Sequence, residues 1–322
     1  MSKLSPKEKF QNFYHNHQGF WDFIVRMKWR YFKVRMYLID DETFQKKKFK
    51  KIFGKELNLE NPSRLEEKQL YIKLHNRDPL ITICSDKVRA RDYVREHGCE
   101  DILIPQVGVY KDARDIPFDS FDRPVFLKCN HMSGANKIYD PANPFDRKAF
   151  IKKFNFLLKQ NQYWASREWN YKDIKPLIEC EEVLHCKDGS LPKDYKFYCF
   201  GGKPVFLGLS IGTCDEKGEH ALDSARYFNT YDMDFKQLDI DQGHPILWDG
   251  SVKKPSSYDK MKEVCEKLAA PFPFVRVDLY DVDGHVYFGE LTFYDDGGFG
   301  RIEPEEWNKK MAEKIDLSGA IR

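Results

Sequence analysis

The chain has 322 residues, of which 41% are hydrophobic, 15% aromatic and 32% charged. This length allows about two domains with buried cores, which excludes a small module held together by disulfides or a metal, and the composition excludes a disordered chain. Residues 1–54 contain 13 Lys and Arg against 5 Asp and Glu, so the net charge of +2 divides into +8 for this segment and −6 for the remainder. Any basic surface is therefore concentrated near the N-terminus.

The sequence contains no stretch that approaches the roughly 20 apolar residues of a membrane-spanning helix, and its first residues are charged. We therefore expect a cytoplasmic protein that does not span the membrane. The eight cysteines are scattered without a CxxC pair, which predicts reduced, buried thiols. Cys180, His185 and Cys186 could ligate a metal, but no second half-site follows them and core packing is favoured.

The first predicted element is a helix from Phe10 to about Leu38. Its apolar residues recur every three or four positions, at Trp21, Val25, Trp29, Phe32 and Met36. The favoured interpretation is a helix docked on its own domain with a solvated basic side. The alternative is a peripheral contact of residues 1–54 with the anionic inner face of a membrane. Nucleic acid is not expected as a partner, because the remainder is acidic and contains no recognisable recognition module.

Helices and strands follow in mixed order along the rest of the chain. Ser63 as N-cap, with Glu66 three residues later, predicts a helix through Ile72, and a second helix is expected from Ser85 or Asp86 to about Gly98. A further helix is predicted at 146–160 and another at 257–268. Strands are predicted at 102–105, 107–110, 125–128, 177–184, 195–200, 204–210, 274–280 and 285–293. This pattern predicts an α+β protein of two lobes, with antiparallel sheets towards the C-terminus.

The last two strands, joined at Asp283-Gly284, predict a hairpin with acids on both arms. A two-residue loop would place Asp278 and Glu290 on opposite faces, whereas a three-residue loop would gather both with Arg276 and Thr292 on one face. That second arrangement would suit one or two Mg²⁺ ions bridging nucleotide phosphates, with the arginine facing developing negative charge. The alternative is an exposed acidic hairpin edge.

A loop of small residues over 129–136 follows the strand that ends at Lys128. Backbone N–H groups around Ser133 and Gly134 could approach phosphates, although an ordinary turn has the same composition.

These segments, in this order, resemble the ATP-grasp fold, and more closely the TupA-like ATP-grasp family of bacterial capsule and teichuronopeptide clusters. The resemblance covers about residues 55–307. It is carried by segments 57–62, 67–68, 84–87, 104–105, 126–131, 167–169, 194–197, 272–280 and 288–294. It implies an ATP-grasp fold of two α+β lobes that grip ATP, preceded by an N-terminal helical extension. The expected divisions are a basic helical region and linker (1–84), an N-terminal lobe with the phosphate loop (85–180) and a C-terminal lobe with the Mg²⁺ hairpin (181–322).

The resemblance also implies roles for individual residues. The residues expected to bind ATP are Lys87 and Lys128 at its phosphates, Ser133 and Gly134 in the lid loop, Glu181 and the backbone of Val183 at adenine, and Asp194 at the ribose. The expected metal ligands are Asp278, Glu290 and Thr292, the last standing where many ATP-grasp enzymes have Asn. The expected catalytic residues are Arg276 at the oxyanion, Lys196 at phosphate or substrate, and Arg226, near His220, clamping a carboxylate or acyl phosphate. The segment 294–298 reads Tyr-Asp-Asp-Gly-Gly where the family usually has Tyr-Pro-Gly-Ser-Gly.

The resemblance implies an ATP-dependent carboxylate–amine ligase that uses ATP and Mg²⁺ and forms an amide through an acyl phosphate. The family context implies an acidic sugar of a surface polysaccharide, such as a uronic acid, joined to an amine or amino acid. Two alternatives stay open. The triplets Asp232-Met233-Asp234 and Asp239-Ile240-Asp241 have the acid-x-acid pattern of glycosyltransferases. A non-catalytic capsule assembly protein would not depend on the hairpin acids.

Overall fold

The computed structural model of the chain describes residues 18–211 and 227–318. Its helices are α1 (Gln18–Leu38), α2 (Asp41–Phe53), α3 (Leu65–His75), α4 (Pro79–Ser85), α5 (Ala90–Glu96), α6 (Arg147–Leu157), α7 (Gln162–Ser166), α8 (Tyr258–Ala269) and α9 (Glu305–Ala312). Its strands are β1 (Gln106–Tyr110), β2 (Val125–Cys129), β3 (Asn136–Tyr139), β4 (Ile178–Glu182), β5 (Lys193–Phe200), β6 (Lys203–Ile211), β7 (Tyr227–Asp232), β8 (Gln237–Leu238), β9 (Phe274–Val282) and β10 (His285–Thr292). Over these two ranges, no helix combines the length and the hydropathy needed to cross a bilayer.

The strands form two antiparallel sheets. The smaller sheet has four strands in the order β1-β4-β2-β3, and the larger has six in the order β10-β9-β5-β6-β7-β8. Hairpin neighbours such as β5 and β6 pair directly, whereas β4 inserts between β1 and β2. The predicted α+β class is therefore confirmed.

Each sheet has its own hydrophobic core. Helix α8 packs on β5, β6 and β9, and its residues Met261, Val264 and Leu268, spaced by three and four, are fully buried there. Residues of α3, α4 and α5 join this same core. The smaller sheet packs on α6 through Phe150 and Phe154. Each sheet thus packs against helices, and its side chains outside these contacts are available for a site.

Helix α1 packs on the body of the protein with one side. Val25, Trp29, Phe32 and Met36 are half-buried, as the favoured interpretation predicts, while residues 1–17 and the Trp21 side chain lie outside the described part. The C-terminal end of α1 is held by Arg167, whose guanidinium donates to the carbonyls of residues 35 and 39 at 3.2 and 2.9 Å. The Arg35 carbonyl also accepts the Ile39 N–H at 3.1 Å, and the Ile39 carbonyl lies just past the last helical residue, so the arginine adds a hydrogen bond at the end of the helix.

The helix predicted from Ser63 begins two residues later, at Leu65. Glu67, and not Glu66, completes the turn, because its carboxylate accepts the backbone N–H groups of Ser63 and Arg64 at 2.9 and 3.1 Å. The N-cap is Arg64. The prediction of Ser63 as the cap was therefore wrong by one position, although the helix itself is confirmed.

The start predicted for the second helix, at residue 85 or 86, is wrong because the chain turns there, whereas a helix that ends just before Gly98 is confirmed. Helix α4 ends at Ser85 and α5 begins only at Ala90. The Asp86 carboxylate accepts the N–H of Val88 at 3.0 Å and the side-chain amide of Asn130 at 2.8 Å, so this turn is fixed to the end of β2. The strand predicted at 102–105 is also absent, since a 3₁₀ turn ends at residue 102 and β1 starts after Pro105.

Most free thiols are buried in these cores. Six of the seven cysteines in the described part are buried and Cys186 is half-buried, and all seven are free. Cys214 lies outside the described residues. The prediction of reduced, buried cysteines is confirmed for these six, whereas Cys186 is free but only half-buried.

Candidate active site

The β9–β10 hairpin turns on two residues. Val282 pairs with His285, and both Asp283 (φ 52°) and Gly284 (φ 92°) have the positive φ of a primed turn. For such a loop the alternation of side chains predicted that the hairpin acids point to opposite faces. The structure contradicts this expectation: Glu290 lies directly opposite Asp278.

A β-bulge at Gly289 is the reason. The register is regular up to Phe288, which faces Leu279, and the next pair is Glu290 with Asp278, so β10 contains one extra residue. A Cβ atom at Gly289 would lie 2.9 Å from the backbone oxygen of Asp278. Only glycine permits this close approach. The bulge thereby brings to one face the same four residues that the three-residue loop would have gathered.

Arg276 is the centre of this face. Its Nε and Nη2 donate to the two carboxylate oxygens of Asp278, both at 2.7 Å, and Nη2 also donates to Thr292 Oγ1 at 3.1 Å. Its Nη1 donates to the carboxylate of Asp295. The residue is only 8% exposed. Bidentate pairing in this buried position fixes the orientation of the guanidinium.

Lys196 joins the cluster from the neighbouring strand β5. Its Nζ donates to Asp278 Oδ2 at 3.0 Å and to the carboxylate of Asp194. Burial would lower the pKa of Lys196, but the two carboxylates outweigh it and raise the pKa above its usual range. The other oxygen of Asp194, Oδ1, is buried and has no hydrogen-bond partner within the described residues. It is therefore a free acceptor beside a fixed cation.

Glu290 is held in its ionised form. Thr292 Oγ1 donates to its Oε1 at 3.0 Å, and Lys87 Nζ lies 3.7 Å from its Oε2. Burial alone would raise the pKa of Glu290, but the charges of Lys87, Arg276 and Lys196 hold it at about 2. Its side chain is 40% exposed. This carboxylate is thus charged at neutral pH and accessible to a ligand.

A second charged cluster lies on the smaller sheet. Lys128 donates to the Glu181 carboxylate and its Nζ lies 3.4 Å from Glu179 Oε2. Arg91 Nη1 donates to Glu181 Oε1 at 2.9 Å. Burial would lower the pKa of Lys128, but both carboxylates raise it. Lys128 and Glu181, expected at the phosphates and at adenine, thus contact each other here.

The loop after β2 has a closed base and an open tip. The Cys129 N–H donates to the Ala135 carbonyl at 2.8 Å, whereas Ser133 and Gly134 are exposed. Gly134 has a φ of 70°, and a Cβ atom added to it would meet no heavy atom within 4 Å. The tip therefore has room to approach a ligand.

Val183 directly follows β4 and is half-buried. Arg226 and His220 lie outside the described residues.

The family comparison decides between the possible identities of this constellation. The family model described as TupA-like ATPgrasp matches residues 66–316, which is most of the chain and includes both clusters. The chain belongs to the TupA-like ATP-grasp family. This confirms the suspected family, the ATP-grasp fold and the prediction of an ATP-grasp ligase.

Solved structures of ligases are also similar to this TupA-like chain. D-alanine–D-alanine ligase from Bacillus anthracis shares 15% identity, with 74% of this chain and 69% of that chain covered and a TM-score of 0.42. Phosphoribosylamine–glycine ligase from Thermotoga maritima shares 14%, covering 68% of this chain and about half (49%) of that one, with a TM-score of 0.41. The ATP-grasp ligase PsnB in complex with its minimal precursor shares 11%, covering 76% and 64%, with a TM-score of 0.38. A comparison with curated proteins finds no significant match.

Sequence reasoning assigned no specific role to three residues of the TupA-like site, although it noted Asp295 as a departure from the family pattern. Asp295 binds Arg276, and Tyr198 donates its hydroxyl to Asp295 Oδ2 at 2.7 Å. The pKa of Tyr280 is raised by burial and by the negative charge of carboxylates in both clusters, which include Asp194 and Glu181. The alternation of strand side chains was an available signal, because Tyr198 follows Lys196 by two residues and Tyr280 follows Asp278 by two.

The hairpin oxygens of the TupA-like chain fit Mg²⁺. Within 18–211 and 227–318, no group of three or more His, Cys, Asp or Glu side chains is arranged to hold a metal by itself. Mg²⁺, however, is typically bound through one or two carboxylates together with substrate phosphates. Asp278 and Glu290 face each other on adjacent strands, with Thr292 Oγ1 beside them, which is such a donor set.

Proposed function

We propose that this TupA-like ATP-grasp protein is an ATP-dependent carboxylate–amine ligase that forms an amide through an acyl phosphate. The observation that carries the proposal is the opposed pair Asp278 and Glu290 with three cations around it, Lys87, Lys196 and Arg276. Two acids that can share a divalent ion with ATP, beside cations that can receive phosphate oxygens, are the groups that phosphoryl transfer requires.

The reaction would proceed in two displacements. A carboxylate oxygen of the first substrate attacks the γ-phosphorus, and the bond to ADP breaks. The amine nitrogen of the second substrate then attacks the acyl carbon, loses a proton, and phosphate leaves with the oxygen that came from the carboxylate. Lys87 and Lys196 would offset charge on the transferring phosphoryl group, and Arg276 would stabilise the tetrahedral oxyanion. One or two Mg²⁺ ions, held by Asp278, Glu290 and Thr292, would neutralise phosphate charge.

The remaining roles concern binding of ATP. The free Asp194 Oδ1 supports a hydrogen bond from a ribose hydroxyl. The open tip at Ser133 and Gly134 supports closure of backbone N–H groups over phosphate. We assign Lys128 to the phosphates. Glu181 and the Val183 backbone are assigned to adenine, and binding would then require Glu181 to share its carboxylate between Lys128 and the base.

The proposed substrates are an acidic sugar such as a uronic acid, in capsular or surface polysaccharide biosynthesis, and an amine or amino acid. The segment after the hairpin supports the amine side, because Asp296 is exposed next to the aspartate that binds Arg276. A negative group here would attract an ammonium substrate. Arg226 keeps its proposed role as a clamp for the carboxylate.

A glycosyltransferase function finds no comparable support. The Asp232 Oδ1 atom accepts the backbone N–H groups of Asp234 and Lys236 at 3.0 and 2.8 Å, so this carboxylate closes the β7–β8 turn. In the second triplet, Asp241 Oδ1 accepts the N–H of Gly243 at 2.6 Å. One acid of each triplet thus already serves a local turn.

The test is ADP release from purified protein with Mg-ATP and a panel of uronates and amines. Glu290→Gln should lower turnover by about 10² to 10³-fold while the protein stays folded, because a metal ligand and a local charge are lost together. The matched control is Glu306→Gln on the exposed side of α9, which should retain full activity. The proposal fails if no uronate and amine pair yields ADP and Mg-ATP does not bind. If Glu290→Gln leaves the function of the protein intact, the non-catalytic alternative is favoured. Release of UDP from a sugar nucleotide would favour the glycosyltransferase.

A further inference from the structure

Helix α1 has a second apolar side that faces away from the protein. Its central residues are Ile24, Met27, Tyr31, Val34 and Leu38, with 37, 46, 60, 55 and 77% of their surface exposed. They recur every three or four positions and therefore form one stripe, here called the outer stripe. Twelve large hydrophobic residues are exposed in the described part of the chain, and eight of them lie on this helix. An apolar surface of this kind marks an interaction site.

Positive charge borders the outer stripe on both sides. At about 100° per residue, Lys28 and Arg30 fall on opposite edges of it, and both are exposed. The single acidic residue of α1, Asp22, is bound at 2.7 Å to Lys152 of the protein body. The outer stripe is thus an apolar surface with cationic edges and no free negative charge.

We propose that the outer stripe seats α1 on the surface of an anionic lipid bilayer, with the helix axis in the plane of the membrane. Apolar side chains of such a helix enter the boundary between headgroups and acyl chains, while the basic edges contact lipid phosphates. Tyr31 lies in the stripe and Tyr37 beside it, and tyrosine rings are favoured at this interface.

The charge pattern disfavours a second copy of the chain as the occupant. A two-fold contact through the same surface would bring the cationic edges of both helices together, and like charges in contact repel. An anionic membrane instead complements both edges at once. The experiment below distinguishes a membrane from an acidic protein partner, because its vesicles contain only lipid.

The attachment of α1 would orient the whole enzyme. Arg167 binds carbonyls at the end of the helix, and Arg35 Nη2 donates to the Ala165 carbonyl at 3.0 Å. A helix fixed to the body in this way transmits its membrane orientation to both sheets. Deletion of residues 1–54 would also remove Phe44 and Phe49, which are buried. Point substitutions on the exposed face are therefore the sharper test.

The experiment measures co-sedimentation of the full-length protein with phosphatidylcholine vesicles, with and without phosphatidylglycerol. Ile24→Gln/Met27→Gln/Val34→Gln removes the apolar contact, and Lys28→Glu/Arg30→Glu reverses the edges. Lys310→Glu/Lys314→Glu is the control, because it changes the charge equally at exposed positions in and just after α9. Each variant should retain wild-type melting temperature and ADP release.

We expect the wild type to bind vesicles that contain phosphatidylglycerol. The apolar variant should bind them at least about tenfold more weakly, and the edge variant at least about twentyfold more weakly, with the control unchanged. The inference is overturned if the wild type does not bind, or if the apolar variant binds as well as the wild type. It is also overturned if the wild type is a dimer by ultracentrifugation and the apolar variant a monomer, which would assign the face to a second copy.

Discussion

Lys87 Nζ lies 3.7 Å from Glu290 Oε2 and donates to the Met132 carbonyl at 3.2 Å. One lysine, on the turn between α4 and α5, therefore links the loop of the smaller sheet to the hairpin of the larger sheet. The turn itself is tied to β2, since the Lys87 N–H donates to the Asn130 carbonyl at 3.3 Å. This junction is where the two lobes would meet the phosphates of ATP.

Lys87→Met should impair use of ATP without unfolding the protein. The Lys87 side chain is still 16% exposed, and its loss leaves Glu290 in contact with Arg276 and solvent. We expect kcat/KM for ATP to fall by about 10²-fold or more, with the melting temperature within a few degrees of the wild type. Steady-state ADP release and thermal unfolding check both. A variant that keeps wild-type kcat/KM would remove Lys87 from the phosphate site.

Lys128→Met should lower stability in addition to weakening the proposed contact with ATP. The substitution removes a cation from two buried acids, Glu179, which is fully buried, and Glu181, which is 4% exposed. Removal of one partner of a buried ion pair costs about 3–5 kcal/mol of stability. Urea unfolding measures the loss, and Lys128→Arg should recover part of it. A loss below about 1 kcal/mol would mean that Arg91 alone balances both acids.

Gly289→Ala should disrupt the bulge that aligns Glu290 with Asp278. The new methyl group would lie 2.9 Å from backbone, which cannot move aside as a flexible side chain would. We expect a stability loss of about 1–3 kcal/mol and a loss of ADP release comparable to that of Glu290→Gln. The control is Gly300→Ala, where the nearest atom is 3.6 Å away. Full activity in Gly289→Ala would show that the register tolerates the side chain.

Arg167→Met should loosen α1. The buried arginine donates to two helix-end carbonyls and pairs with Asp41 at 3.1 Å, and methionine can do neither. We expect the free energy of unfolding to fall by about 3–5 kcal/mol. Amide hydrogen exchange should accelerate relative to the wild type, and more in α1 than in α8. Arg114→Met, at an exposed pair with Asp112, should change stability by less than about 1 kcal/mol. Unchanged exchange in α1 would contradict the anchoring role.

His131 should make stability depend on pH between about 4 and 6.5. Burial lowers its pKa to about 4, against 6.5 when unfolded. Between these values the unfolded chain binds more protons than the native state, so acidification through this window lowers stability by up to about 3 kcal/mol. His131→Gln should flatten the curve of unfolding free energy against pH, whereas His285→Gln, on the exposed start of β10, should not. An identical curve for wild type and His131→Gln would refute this.

Local sequence patterns located many of the elements but not the breaks between them. Alternation and helical spacing located seven of the ten strands in the described ranges, together with α6 and α8, to within a few residues, but they missed β3, β7 and β8. They did not locate the turn after Ser85, because that turn depends on a hydrogen bond between Asp86 and Asn130, 44 residues apart. A contact over such a distance leaves no periodic signal in either segment.

The sequence by itself determined which residue types can serve ATP chemistry and, through the order of its motifs, the family. Only the tertiary structure decided how they meet. The same two-residue turn would separate Asp278 from Glu290 in a regular hairpin, and the bulge at Gly289 reverses this because one extra residue exchanges the faces of a strand. Likewise, the division of +8 and −6 in charge did not reveal that α1 has two apolar sides. One of these sides packs on the body of the protein, and the other, with its basic edges, lies on the surface.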